Sequence, residues 1–358
     1  MKMAKTVVQR TVLALICAGL SSFGQTWPGP VPEAKGPFGL VPGKFTGYKV
    51  VLEPDKDLAE WWAGGPSVVR DAKGVFWMAA RMRTADAEYG LRGYEVRILR
   101  SEDGVKFTVV NRIKREDVPI PGFERPALLI DPRTGLFKLY ACGPWKSGPW
   151  TIVKFDDVKD PREFKASTAK PVIAPRKKIL PRDTVVEGYK DPVILYAEGA
   201  FHAYLIGQHR GLERVYHFQS ADGEAWEPAG SPYESIMKLD GWHDFFVRPA
   251  SVLPLPVGYL FVYEGSNVKW YDPVYNVATG LAFTFDLHHI VDLTPESPLL
   301  VSTTPSPLFR TWRYSQWLNV DGEYWVYAEV ARPNMSHEIR LFRLKQGDIA
   351  DGMTSGGH

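Results

Sequence analysis

GVFWMA from Gly74, GLFKLY from Gly135, GAFHAY from Gly199, GYLFVY from Gly258 and GEYWVY from Gly322 are five copies of one phrase. A glycine opens each copy, an aromatic follows at the third place and a tyrosine closes four of them, with the aromatic slipping to Tyr259 in the fourth. The glycines are 61, 64, 59 and 64 residues apart. Seven to nine residues upstream stand GPSVV, RPALL, DPVIL and RPASV, around Pro66, Pro126, Pro192 and Pro249, with YSQWL taking that slot before Gly322. Downstream lie EVRIL from Glu95, WTIVKF from Trp150, RVYHF from Arg214, NVATGLAF from Asn276 and EIRLFRL from Glu338. Each unit therefore reads strand, turn, strand, loop, strand.

Such a unit cannot hide its apolar faces alone, so a fixed period of this length implies stacked or radial repetition. Units of about 60 residues with several strands suit propeller blades. Ser-x-Asp-Gly-x-x-aromatic, at Ser101 to Phe107 and Ser220 to Trp226, adds a hairpin turn and a fourth strand to two units. The fold expected is all-β, a five-bladed β-propeller over residues 58–346. Before it, residues 25–57 form an extended Pro- and Gly-rich segment, and residues 347–358 a flexible tail.

Residues 1–24 carry Lys2, Lys5 and Arg10, an apolar run from Val12 to Leu20 and small residues near Gly24, the pattern of a signal peptide. A secreted or periplasmic protein is expected, and no other stretch is apolar enough to span a membrane. Loss of the leader removes Cys17 and leaves Cys142, read as a small buried apolar residue, so no internal disulfide can form. With 43 Lys plus Arg against 41 Asp plus Glu and no basic stripe, nucleic acid is not an expected partner. A monomer is expected. The eight His show no metal-ligand spacing, so neither a metal nor another cofactor is expected.

Aromatics reach 13%, and beyond those a core requires they gather ahead of the first strand of each unit, at Trp61, Trp62, Phe123, Tyr189, Trp242, Phe245, Phe246, Trp312 and Tyr314. Aromatic faces beside carboxylates and Arg suit a carbohydrate, whose C–H faces stack while its hydroxyls take charged hydrogen bonds. The residue before the aligned proline reads Gly65, Arg125, Asp191 and Arg248, a variation that a purely structural position would not show. Six places after the repeat glycine stand Ala80, Ala141, Leu205, Glu264 and Ala328, so Glu264 puts an acid in an apolar slot. Asp191 and Glu264 are the first candidates for catalysis. Glu124 and Asp244 follow, each with an Arg close by in sequence, and Glu60, Glu187 and Glu329 read better as partners of neighbouring Arg. Arg81, Arg125, Arg248 and Arg313 fall at comparable heights and suit an acidic group on the ligand. Trp61, Trp62 and Asp272 complete the expected substrate contacts.

The five units, KDPVI at Lys190 to Ile194, FERP at Phe123 to Pro126 and the Asp-Gly turns together resemble the five-bladed propeller glycoside hydrolases. That group includes family 43 arabinanases and xylosidases, family 32 fructan hydrolases and family 130 mannoside phosphorylases. The resemblance covers about residues 60–344. It implies an acidic triad, with Asp191 at the middle Asp-Pro position and Glu264 or Glu124 as the acid Glu. The first-blade Asp of those families is missing, since Gly64-Gly65-Pro66 stands there, and Glu60 or Asp244 would have to replace it. A secreted glycoside hydrolase working through paired carboxylates is the function expected. A phosphorylase using the Arg set, or a carbohydrate-binding propeller without chemistry, are the alternatives.

Overall fold

The computed structural model describes residues 45, 47–88, 91–175, 186–267, 269, 278–302, 304 and 311–345. They are all-β, with only short 3-10 turns besides the strands. After β1 (Tyr48–Leu52) the strands fall into five consecutive antiparallel units, with single parallel bridges at Trp62–His337 and Glu213–Phe246 that join units 5 and 1, and units 3 and 4, so that three hydrogen-bonded sheets result. Unit 1 holds β2 (Trp62–Arg70), β3 (Phe76–Arg83), β4 (Gly93–Ser101) and β5 (Thr108–Lys114). Unit 2 holds β6 (Ala127–Ile130), β7 (Phe137–Pro144), β8 (Trp150–Lys154) and β9 (Lys170–Ile173). Unit 3 holds β10 (Gly188–Ala197), β11 (Ala200–His209), β12 (Leu212–Ser220) and β13 (Glu227–Pro228). Unit 4 holds β14 (Phe246–Pro254), β15 (Tyr259–Ser266), β16 (Ala278–Thr284), β17 (Val291–Asp292) and β18 (Leu300–Val301). Unit 5 holds β19 (Trp312–Val320), β20 (Glu323–Ala331) and β21 (His337–Lys345), and β1 pairs antiparallel with β21 as its outer strand.

The first strands close a ring: β2 packs on β6, β6 on β10, β10 on β14, β14 on β19 and β19 back on β2. Apolar side chains of neighbouring units interlock behind this ring, as Trp77, Ile98, Leu128 and Leu139 do between units 1 and 2. Burying each such side chain contributes roughly 1.5–3 kcal/mol, and no unit could do so alone.

The repeated phrase now has a physical meaning. All five of its glycines have positive φ, from 71° to 87°, at the turn between the first two strands of a unit, where a Cβ would be strained. Its closing tyrosine is a staple between units. Tyr140 of unit 2 donates to the carbonyl of Gly223 in unit 3 at 2.7 Å, and Tyr327 of unit 5 to that of Gly104 in unit 1 at 2.8 Å. Both acceptors lie in the Ser-x-Asp-Gly turns, whose aspartates take backbone N–H groups of residues 105–106 and 224–225.

Unit 4 departs by one residue. Before a bulge in the first strand, Gly64 pairs with Arg81, Lys190 with Ile206 and Arg313 with Glu329, each partner seven places after its repeat glycine. In unit 4 Arg248 pairs with Glu264, six places after Gly258. One residue fewer lies between Gly258 and the paired position, so the aromatic slips to Tyr259, and Tyr263 hydrogen-bonds Asp292 of its own unit. Two sequence alignments are corrected accordingly. Glu264 shares its position with Arg81, Cys142, Ile206 and Glu329 rather than with the alanines, and Arg248 aligns with Gly64, Glu124, Lys190 and Arg313 rather than with Asp191.

Candidate active site

With that frame, three tiers of five residues meet where the first strands converge. Gly64, Glu124, Lys190, Arg248 and Arg313 precede the bulges. Gly65, Arg125, Asp191, Pro249 and Tyr314 open them, and Gly65, Asp191 and Tyr314 share a left-handed backbone with φ of 58°, 54° and 55°. Arg81, Cys142, Ile206, Glu264 and Glu329 face them from the second strands.

Asp191 is held on every side. Its Oδ1 accepts the Arg125 backbone N–H at 3.0 Å and its Oδ2 the Tyr314 hydroxyl at 3.0 Å, while its own N–H donates to Cys142 Sγ at 3.2 Å. Burial pushes its carboxyl above the usual range; Lys190 and Arg248 pull against this, and the charges of Glu124 and Glu213 add to it. Glu124 behaves oppositely. Burial opposes its charge, but Arg81, Arg83, Arg313 and Lys190 together hold it below the usual carboxylate range. Its side chain retains 12% exposure, and its Oε2 lies 3.5 Å from Arg81 Nε.

The other two central acids are fixed anchors. Glu264 is fully buried and accepts the backbone N–H groups of Tyr314 and Ser315 at 2.7 and 2.8 Å and the Ser315 hydroxyl at 2.9 Å. It thereby ties unit 4 to the bulge of unit 5. Burial raises its pKa against these hydrogen bonds and Arg125. Glu329 takes Arg81 at 2.8 Å, Arg313 at 2.9 Å, His337 at 2.7 Å and the Gly65 N–H at 3.0 Å. Burial opposes its charge, yet Arg313, Arg81 and His337 hold it well below the carboxylate range. A Cβ on Gly64 would fall 1.8 Å from its Oε2. The volume a first-unit acid would fill is thus taken by an acid from unit 5, and neither Glu60, which pairs with Arg92, nor Asp244, which is exposed, stands there.

The expected binding residues are distributed unevenly. Arg81 and Arg313 join Glu329, Arg248 joins Glu213, and Lys190 pairs with Glu213 at 2.5 Å. Glu213 is held down to about 2, burial opposing its charge but Arg248 and Lys190 outweighing it. Arg125 spans the axis from unit 2 to the carbonyls of Pro249 and Ala250, at 3.2 and 2.8 Å, and is 1% exposed. Trp62 is buried, stacked on His337 at 3.8 Å and overlain by Arg83, and Trp61 is buried against Tyr94 with Lys56 over its ring. Both are packing residues rather than open stacking faces, and Phe123, Tyr189, Trp242 and Trp312 are buried too. Asp272 lies outside the described residues.

Sequence reasoning passed over Glu213, whose only signal is that it follows a hairpin, and it left Lys190 inside KDPVI without a role. One group among the described residues has metal-ligand proximity: atoms of Asp240, His243 and Asp292 lie within 4.8 Å of one another. It is already knit together, with His243 Nε2 at 3.1 Å from Asp292 and the Tyr263 hydroxyl at 2.7 Å from Asp292.

No protein-family model and no curated protein sequence matches the chain. Solved structures do. A β-1,2-mannobiose phosphorylase from Listeria innocua, in complex with β-1,2-mannobiose, superposes with a TM-score of 0.61 at 13% identity, covering 85% of this chain and 96% of its own. The fold is shared with solved carbohydrate-active proteins. A glycosyl hydrolase from Bacteroides ovatus gives 0.59 at 15% identity over 82% and 93% of the two chains. A structure described with family 130 mannoside phosphorylases, among them glycoside hydrolases that target β-1,2 mannosidic linkages in Candida mannan, gives 0.58 at 15% over 88% and 96%. At such identities the likeness establishes the fold alone and leaves the chemistry to the residues.

Proposed function

We propose that the chain is a five-bladed β-propeller that hydrolyses glycosidic bonds, with Asp191 as the general acid and Glu124 as its ionised partner. The observation that carries this reading is that Asp191 of unit 3 accepts the backbone N–H of Arg125, the residue next to Glu124 of unit 2, and that the surroundings of the two acids push them in opposite directions, Asp191 up and Glu124 down. Such divergence is how paired carboxylates divide the acid and base roles. A protonated Asp191 gives its proton to the leaving oxygen, and ionised Glu124, whose side chain keeps 12% exposure, takes the part of base or nucleophile. The closed ring of five first strands supports the blade count. The basic and then apolar N-terminus supports action outside the cytoplasm.

Phosphorolysis is the second reading, favoured by the cations around Glu124 and by a phosphorylase among the fold neighbours. The ion pairs weigh against it, because Arg81 and Arg313 are committed to Glu329, and Lys190 and Arg248 to Glu213. Glycan turnover measured with and without inorganic phosphate, for the wild type and Glu124→Gln, separates the two.

A further inference from the structure

Beyond the ring, a cavity of about 660 Å³ opens at the side of unit 3, between the start of β12 and the segment 233–240. Its size lies within the span of small-molecule sites, about 300–1,000 Å³. Its walls combine Arg214, Tyr216, Tyr233, Glu234, Met237 and Lys238. Tyr233 is half-buried, so part of its surface remains open. The cavity adjoins the proposed active site through one strand. Glu213 sends its carboxylate to Lys190 and Arg248, and Arg214, the next residue of β12, lines the cavity, because consecutive side chains of a strand point to opposite faces.

Arg214 is the informative residue. The residue is half-buried against the cavity, and its Nη1, itself buried, has no hydrogen-bond partner. A buried guanidinium N–H without an acceptor is costly, and the fork of an Arg matches a carboxylate in two parallel hydrogen bonds. We propose that this cavity is an accessory subsite for an anionic sugar residue, a uronate whose carboxylate Arg214 receives while Tyr233 offers a face to the ring. The ligand class rests on the glycoside-active reading, whereas the site itself does not. Glu234 and Asp240 on the rim set a limit, since they repel a ligand that carries further negative charge nearby.

Calorimetric titration with a trisaccharide carrying a single terminal uronate, its carboxyl-reduced neutral counterpart and a singly sulfated neutral trisaccharide tests this. The wild type is expected to bind the uronate at least about ten-fold more tightly than the neutral sugar, as one charge-assisted hydrogen bond predicts. Arg214→Gln should abolish that preference, and Arg214→Lys should restore part of it, both with unchanged melting temperature. Glu124→Gln, which disables the active site, should keep the preference, so loss of turnover and loss of the subsite are read separately. Equal affinity for the uronate and neutral sugars, or an unaltered preference in Arg214→Gln, overturns the proposal. Tighter binding of the sulfated sugar than of the uronate overturns the assignment to a carboxylate.

Discussion

The hydroxyl of Tyr314 donates to Oδ2 of Asp191 at 3.0 Å, and the two residues occupy the same left-handed position in units 5 and 3. A donor to the ionised form lowers the pKa of a carboxyl. Removing it in Tyr314→Phe is therefore expected to raise the Asp191 pKa further. If Asp191 is the acid, activity disappears as pH rises through that pKa, so the alkaline limb of the kcat/KM profile should move to higher pH in the variant. A shift of the acidic limb instead would make Asp191 the base.

Glu329 and Gly64 form one node. Glu329→Gln removes the anion that Arg81, Arg313 and His337 share, and stranding buried charges in this way costs about 3–5 kcal/mol. Gly64→Ala drives a methyl into the same carboxylate and should destabilise through the same contacts. Chemical denaturation of both single variants and the double should show a clearly less than additive sum. Additivity would mean that the two positions act separately.

The sequence read the architecture well and the site only in part, for a definite reason. Glycine and Asp-Gly turns impose backbone geometry locally, so their spacing reports the five units whatever the packing. A one-residue contraction after Gly258 changes which face a side chain joins, and this made Glu264 look like an acid in an alanine slot. The slip of the aromatic to Tyr259 was its one visible trace. The division between the anchor acids and the proposed catalytic pair was not legible either, because Glu329, Glu264 and Glu213 are engaged by residues from other units or other strands. Aromatic loops looked like sugar platforms, whereas Trp61 and Trp62 are covered by cations and by His337 and Tyr94.

Two neutral histidines predict acid lability. Burial holds His217 down to about 3, with His202 and His288 adding to the effect, and burial holds His337 down to about 3 against its bond to Glu329. In the unfolded chain each binds a proton near 6.5, so the unfolded state takes up more protons between about 6.5 and 3 and stability falls as pH drops through that window. Each group contributes up to about 1.4 kcal/mol per pH unit there. The loss of melting temperature from pH 7 to pH 5 should be smaller in His217→Gln than in the wild type. An identical loss in both would exclude this histidine as a source.

Cys142 is sealed behind Asp191, and burial pushes its thiol well above the ordinary value. Thiol reagents should leave Cys142 of the folded protein unlabelled at pH 8 and react with it fully once the chain is denatured. Rapid native labelling would show that the wall behind Asp191 opens.

The most direct test of the account is reducing-sugar release from a panel of neutral and uronic-acid glycans, with and without phosphate, for the wild type, Glu124→Gln and Asp191→Asn. The account predicts release by the wild type without phosphate and a fall of about 10²-fold or more in each folded variant, the scale of losing a positioned acid or base. Turnover that requires phosphate, or that survives in both variants, would contradict it.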